Sequence, residues 1–289
     1  MSYTIVTDSS CNLTAKQIED YGIEIISLKY FAKDQAFESY QKGVDPDFKA
    51  FYNMARKKEP LSTTLASPEL CEQVFERVLS SGNDLIYIGF SSGLSGTYQV
   101  AHTILEELKE KYPERKIYDV DSLSASLGQG LLVHYAVNKK RSGATIEELY
   151  NWLMENRLKL CHWFTVDDLF YLKRGGRVSG AAAVMGTVLS IKPVMHVDDN
   201  GKLIPKSKVI GRKRAIEAMV GKMKETAVNP AEQTVFISHG DCVDDAEYLA
   251  ELVKKEFNVK EVFIHYVEPV IGCHSGPGTL ALFFMGEHR

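Results

Sequence analysis

The first half of this 289-residue chain alternates short apolar runs with segments of helical periodicity. The clearest case extends from Leu85 to Leu108, where an apolar run of strand length precedes a polar turn and then apolar residues at helical spacing. Strands that alternate with helices pair in parallel, because each helix crosses the sheet and returns the chain to the same edge. This half is therefore predicted to form a mainly parallel sheet flanked by helices.

The turn at residues 89–97 is a candidate site. It contains three glycines, which allow close approach of a ligand to the backbone, and several hydroxyl side chains. Ser95 and Gly96 stand where the next helix begins, and free N–H groups at a helix start favour an anion. An ordinary turn, with Ser95 serving only as an N-cap, explains the same residues. Asp8, Ser9 and Ser10, which follow the first predicted strand, are weaker candidates of the same kind.

The second half has a different pattern, with alternating strands joined at Asn200-Gly201, a strong hairpin signal. It is predicted to be α+β with antiparallel strands, so we place two domains at residues 1–160 and 161–289. Whether the last strand, at about residues 279–286, returns to the first sheet is left open. The segment Gly272–Thr279, which contains His274, is predicted to be a second tight turn.

The segment from Pro60 to Glu69 carries hydroxyl side chains between two prolines and is predicted to be an extended loop. Ser67 followed by Pro68 has the pattern of a helix N-cap. Capping leaves Thr63 and Thr64 without an explanation.

Composition excludes several classes of function. The formal net charge of -4 gives no overall attraction to nucleic acid and allows at most peripheral contact with a membrane. The five cysteines contain no C-x-x-C pair, which fits a reducing cytoplasm, and no window has the ~18 apolar residues of a membrane span. The eight histidines lack the spacing of metal sites, and phosphate-loop motifs are missing, so neither a metal nor a cofactor is predicted.

A serine hydrolase is the enzymatic alternative. Residues Gly89–Gly93 match G-x-S-x-G after a strand, with Ser91 as nucleophile, and His265 or His274 follows an acidic residue in the hydrolase order. The geometry argues against it, because the predicted helix begins several residues after Ser91 instead of at the nucleophile.

A basic run without acidic residues extends from Lys202 to Arg214. Its last members, Arg212, Lys213 and Arg214, stand at a helix start, where each cation costs about 0.3–1 kcal/mol against the helix dipole. The run is either a solvated surface or a docking patch for an acidic or phosphorylated partner.

Taken together, these motifs resemble those of the DegV family, the fatty-acid-binding subunits of bacterial fatty acid kinase. The resemblance covers nearly the full chain. It is carried by Thr7-Asp8-Ser9, Ser62–Pro68, Leu94–Tyr98, Leu172–Ser179, Ile191-Lys192-Pro193 and His274–Gly278.

The resemblance implies a cytoplasmic, non-catalytic protein that holds a long-chain fatty acid, palmitate-like or unsaturated, between two α/β domains. It implies that Thr63 and Ser95 bind the carboxylate beside Thr64 and Gly96, with His274 and Arg174 in support. Thr64 and Ala66 depart from the serine and proline of the family pattern, which affects loop rigidity more than the contact made by Thr63.

The resemblance also implies a partner. A separate kinase subunit would phosphorylate the bound carboxylate to an acyl phosphate, docking on Arg177, Arg212, Lys213 and Arg214 of the second domain. A carrier of another amphipathic carboxylate, unconnected with a kinase, remains a further alternative.

Overall fold

The computed structural model describes residues 2–178 and 190–289. The strands are β1 (Tyr3–Asp8), β2 (Glu24–Ile26), β3 (Lys29–Ala32), β4 (Gln35–Glu38), β5 (Leu61–Thr63), β6 (Asp84–Gly89), β7 (Ile117–Asp121), β8 (Leu160–Thr165), β9 (Ile191–Val197), β10 (Leu203–Ile210), β11 (Thr234–His239), β12 (Glu261–Tyr266) and β13 (Leu280–Met285). The α-helices are α1 (Ala15–Tyr21), α2 (Phe48–Arg56), α3 (Pro68–Ser80), α4 (Thr97–Lys111), α5 (Leu127–Arg141), α6 (Ile146–Asn156), α7 (Phe170–Arg174), α8 (Arg212–Thr226), α9 (Val243–Phe257) and α10 (Pro269–Ser275).

The first sheet consists of four parallel strands in the order β2-β1-β6-β7, which confirms the predicted parallel sheet. Successive side chains of its central strand β6 point to opposite faces. Tyr87 packs with residues of α3 and α4 in one core cluster, whereas Ile86 and Ile88 pack with residues of α5 and α6 in another. Burial on both faces explains why β6 is a continuous apolar run in the sequence.

The second sheet has six strands in the order β10-β9-β8-β13-β11-β12. All neighbours in it are antiparallel except β11 and β12, and β9 and β10 form the predicted hairpin around Asn200-Gly201. The last strand does not return to the first sheet. Strand β13 lies between β8 and β11 in the second sheet, where Ala281 and Phe283 face one core cluster and Leu282 and Phe284 face another.

Two local predictions are wrong. Leu61–Thr63 is a strand, because β5 adds to β3 in a small antiparallel sheet of order β4-β3-β5. Gly272–Ser275 belongs to helix α10, which Glu268 caps by accepting the N–H groups of Val270 and Ile271, each at 2.7 Å. The predicted turn begins only at Gly276, whose φ is 77°.

Helix α5 joins the two larger sheets. Leu131 and Val133 of this helix share a core cluster with Ile86 of the first sheet and with Phe164 and Phe283 of the second. Across residues 2–178 and 190–289, no helix is both long enough and apolar enough to cross a membrane.

Candidate functional site

A cavity of about 350 Å³ lies between the two larger sheets. Its walls come from the loops after β1 and β6, from β5 and α10, and from the face of the second sheet that carries Phe164 and Ala281. The carboxyl ends of parallel strands meet at the edge where ligands bind in open α/β sheets, and the loops after β1 and β6 lie at that edge. The volume falls within the range of ligand pockets, ~300–1,000 Å³.

Thr63 and His274 meet in the outer part of this cavity. Thr63 ends strand β5 and pairs with Tyr30, while His274 lies in the last turn of α10. The Thr63 Oγ1 and His274 Nε2 atoms are 2.8 Å apart and share a hydrogen bond. Gly175 packs on the other ring nitrogen, since a Cβ atom there would lie 2.3 Å from His274 Nδ1.

His274 is neutral at pH 7. Burial, followed by the positive charges of Arg177 and Arg174, lowers the pKa of its imidazole from 6.5 to about 4. A neutral imidazole has one donor and one acceptor nitrogen, so it can accept the Thr63 proton or donate to the Thr63 oxygen. When Nε2–H donates to Thr63, the Thr63 hydroxyl proton is free to bond to an anion.

Ser95 precedes helix α4 and organises its start. The Ser95 hydroxyl accepts the Thr97 N–H at 3.2 Å and donates to Thr97 Oγ1 at 3.0 Å. Thr97 Oγ1 also accepts the N–H of Ala66 at 3.3 Å, which ties the segment after β5 to the turn after β6. Thr63 and Ser95 both line the cavity, so the structure brings these two predicted residues to one site.

Arg174 is predicted to support the ligand and Arg177 to contact the partner. Of these two, Arg177 lines the cavity. Its Nε donates to the Leu94 carbonyl at 2.9 Å. Arg174, predicted to support the ligand, is exposed and outside the lining, where it donates to the Cys273 carbonyl at 3.3 Å and lies 5.2 Å from the Tyr171 ring. Arg177, predicted to contact the partner, thus lies at the cavity, whereas Arg174 lies close to His274 without lining the cavity.

The remaining predicted site residues are placed as follows. Thr64 is exposed and lines the outer cavity, and Gly96 is exposed at the start of α4 without lining it. Ser179, the last residue of one motif, lies outside the described residues. Of the weaker candidates, Ser10 lines the cavity, whereas the Asp8 carboxylate accepts the N–H of Phe90 at 2.9 Å and so supports the turn after β6.

The basic run is partly neutralised. Arg212 donates to Asp245 at 2.8 Å and lies 3.7 Å from Asp167, acidic residues that come from outside the run. Lys213 and Arg214 are exposed. Only these two of the predicted helix-start cations are therefore presented to solvent.

The geometry does not support the hydrolase alternative, in which Ser91 and His274 act together. Ser91 is fully buried and its hydroxyl donates to the Gly201 carbonyl at 2.8 Å, while His274 bonds to Thr63. Because the helix starts at Thr97 and not at Ser91, the turn holds this hydroxyl inside the protein and away from the cavity.

A histidine and two carboxylates form a cluster elsewhere. The possible ligand atoms of His102, Glu106 and Asp119 lie within 4.8 Å of one another on α4 and β7. The Lys109 ammonium lies 2.5 Å from Glu106 and 4.0 Å from Asp119, so a cation already balances both carboxylates.

Sequence reasoning missed the inner lining of the cavity. Ser126, His162 and Ser238 all face it from separate elements, the start of α5 and the strands β8 and β11. Each stands in a segment whose periodicity indicated only a helix or strand, so no local signal distinguished these side chains.

A family model described as an uncharacterised protein of the DegV family matches residues 2–287. This chain belongs to the DegV family. A DegV domain-containing protein of Clostridium perfringens is 43% identical over 289 residues, covering 99% of this chain and 98% of that protein.

Solved DegV structures have the same fold. A DegV lipid-binding protein of Thermotoga maritima matches with a TM-score of 0.87 and 28% identity, covering 100% of both chains. A DegV family protein of Thermus thermophilus, described by its fatty acid binding, matches with a TM-score of 0.89 and 26% identity over 99% of this chain and 100% of that one. The mixed α/β fold is thus that of known DegV proteins over the full chain.

Proposed function

We propose that this protein binds a long-chain fatty acid, with the carboxylate at Thr63 and Ser95 and the acyl chain in the cavity between the sheets. The observation that carries the proposal is the contact between Thr63 and His274 in the outer cavity, beside the Ser95 hydroxyl and the Arg177 guanidinium. The fatty acid and lipid binding described for the Thermus and Thermotoga relatives supports it.

The acyl chain supplies most of the affinity. Burial of about fourteen methylenes at ~0.8 kcal/mol each contributes ~11 kcal/mol. Association costs ~4–15 kcal/mol, so the chain roughly offsets that cost and the head group adds specificity. The apolar cavity walls, including Leu28, Phe164 and Val270, fit this division.

The head group needs polar partners, because an unpaired carboxylate is too costly to remove from water. The Thr63 hydroxyl can donate to it, the Ser95 hydroxyl can do so by exchanging its bond to Thr97 Oγ1 for one to the ligand, and the Arg177 charge balances it. The N-terminus of α4, which begins at Thr97, adds the favourable end of a helix dipole.

The ligand is presented to a separate kinase subunit for phosphorylation to an acyl phosphate, and the protein is itself non-catalytic. Two features support this part of the proposal. The carboxylate site opens to solvent beside Thr64 and Leu65, with Leu65 49% exposed, so a partner can reach it. Lys213 and Arg214 are exposed cations suited to an acidic partner surface.

Native mass spectrometry of the purified protein tests ligand binding. We expect a stoichiometric fatty acid that is released on denaturation and is lost in the double variant Thr63→Val/Ser95→Ala. Thr103→Val is the matched control, since Thr103 is an exposed threonine on α4 that does not line the cavity. A protein that is empty and refuses added palmitate and oleate would contradict the proposal, and release of a different carboxylate would support the carrier alternative.

The kinase partnership has its own test. With the cognate kinase, ATP and a loaded protein, we expect acyl phosphate to form and the variant Lys213→Glu/Arg214→Glu to slow its formation while retaining fatty acid. Lys57→Glu/Lys58→Glu reverses the same charge at exposed lysines after α2 and serves as control. Equal rates for both double variants would exclude the proposed docking residues.

A further inference from the structure

Polar side chains line the buried inner part of the cavity. Ser10, Ser126, His162 and Ser238 all face it, and none is more than 6% exposed: their exposed fractions are 1%, 4%, 4% and 0%. They are distinct from the outer residues at which the carboxylate is proposed to bind. A cavity that held only a hydrocarbon chain would need none of them.

Two of these four groups lack partners within residues 2–178 and 190–289. Ser10 Oγ and His162 Nδ1 are buried and form no hydrogen bond there. Ser126 Oγ lies 2.7 Å from Asn12 Oδ1 and 3.0 Å from Ser238 Oγ. Because the Ser126 hydroxyl has one proton, which Asn12 can accept, Ser238 can donate to Ser126 and keeps lone pairs free to accept another bond.

Unpaired polar groups in a buried cavity select for ligands that satisfy them. A site built to bond a ligand hydroxyl disfavours the analogue that lacks it, because the buried protein groups then stay unpaired. A saturated acyl chain leaves Ser10 and His162 without a partner, whereas a chain that carries a polar group can bond to them.

The inner lining is polar but uncharged. Among the described lining residues, Arg177 is the charged one and it belongs to the outer cavity. Burial lowers the pKa of His162 well below its usual value, so its imidazole is neutral and offers one donor and one acceptor. A second carboxylate has no counter-charge there, whereas a hydroxyl, which both donates and accepts, matches these groups.

We infer that the inner cavity recognises a hydroxyl group on the acyl chain, so that the preferred ligand is a hydroxylated long-chain carboxylic acid. The inference rests on the proposed function, since the same carboxylate site anchors the chain. It adds a second recognition point that selects among fatty acids by the position of their hydroxyl.

Competition binding tests the inference. Stearate and a set of hydroxystearates that differ in hydroxyl position displace a fluorescent fatty acid from the purified full chain. We expect one position to bind about 10-fold or more tightly than stearate and the others to bind less well. If stearate binds as well as or better than every hydroxystearate, the inference is wrong, and water molecules satisfy the inner groups.

Two variants separate recognition from packing. His162→Phe removes the ring nitrogens and keeps an aromatic ring against Phe164 and Phe283, and Ser10→Ala removes one hydroxyl. Either should reduce the preference for the selected hydroxystearate about 5-fold or more and change stearate affinity less than about 2-fold. Equal losses for both ligands would overturn the inference in favour of a structural role.

Ser124→Ala is the matched control, because Ser124 Oγ is also buried and unpartnered but does not line the cavity. It should leave the preference unchanged. Stearate binding separates the two proposals: a protein that binds stearate without any hydroxyl preference retains the proposed function and refutes the inference. A protein that binds none of these acids refutes both.

Discussion

Thr63 Oγ1 and His274 Nε2 share a hydrogen bond of 2.8 Å although the two residues are 211 positions apart in the chain. Thr63 lies in the small sheet that β5 completes, and His274 lies in the helix α10 that Glu268 caps. Their contact brings a hydroxyl and a neutral imidazole together beside the Arg177 charge. Fatty acid binding is expected to depend on this contact more than on any other pair in the cavity.

Thr63→Val keeps the shape of the side chain and removes its hydroxyl. A hydrogen bond to a charged group contributes about 1.5–3 kcal/mol, so we expect palmitate affinity to fall roughly 10- to 150-fold. Fluorescent fatty acid displacement measures this, with Thr103→Val expected to match the wild type. A Thr63→Val protein with unchanged affinity would show that the carboxylate binds elsewhere.

Gly175→Ala should displace His274. The added Cβ would lie 2.3 Å from His274 Nδ1, closer than real contacts allow, so the ring must shift from Thr63. We expect fatty acid affinity to fall about 10-fold or more, within the range for loss of the bond between the Thr63 hydroxyl and the ligand carboxylate.

Gly221→Ala is the control, because a Cβ at that helical glycine meets no atom within 4 Å and should leave binding intact. It should also stabilise α8 by up to about 1 kcal/mol. Equal affinities for the two variants would refute the packing argument.

His274 should make the ligand-free protein less stable in acid. Its folded-state pKa of about 4 is below the unfolded value of 6.5, so the unfolded state binds more protons between these values. Stability is therefore lost as the pH falls from 6.5 to 4. We expect the free energy of unfolding of the wild type to fall by on the order of 2 kcal/mol because of this group, and we expect His274→Asn to abolish that decrease. Urea unfolding at pH 7 and pH 4.5 measures the difference, and parallel losses in both proteins would count against a buried neutral His274.

Glu268 should make the protein less stable as the pH rises, which is the opposite of the effect of His274. Burial raises its pKa from 4.5 to about 7, so the folded state binds more protons between these values. Stability from this group is fully present below pH 4.5 and is lost as the pH rises through 7. Glu268→Gln keeps a capping oxygen for the Val270 N–H. It should abolish a decrease in the free energy of unfolding that is on the order of 2–3 kcal/mol between pH 5 and 8 in the wild type. Unfolding curves for both proteins at these two pH values provide the test, and identical slopes would contradict it.

Sequence alone determined the elements whose signals are local. The strand, turn and helix of residues 85–108 are confirmed by β6 and α4. The hairpin at Asn200-Gly201 forms as predicted, and Ser67 caps α3 by accepting the Leu70 N–H. These features depend on side-chain periodicity, on turn chemistry and on bonds between residues three or four positions apart, all of which can be inferred from neighbouring residues.

Only the tertiary structure decided how distant segments meet. Strand β13 joined the second sheet, Leu61–Thr63 became a strand on meeting β3, and Arg177, predicted only to contact the partner, lies at the cavity. Asp167 and Asp245 neutralised Arg212, although no acidic residue stands within the basic run. The motifs of the sequence named the residues proposed to bind, but burial and charge pairing arise from long-range contacts. These contacts alone determined which of the described side chains face the cavity and which of them have no partner among residues 2–178 and 190–289.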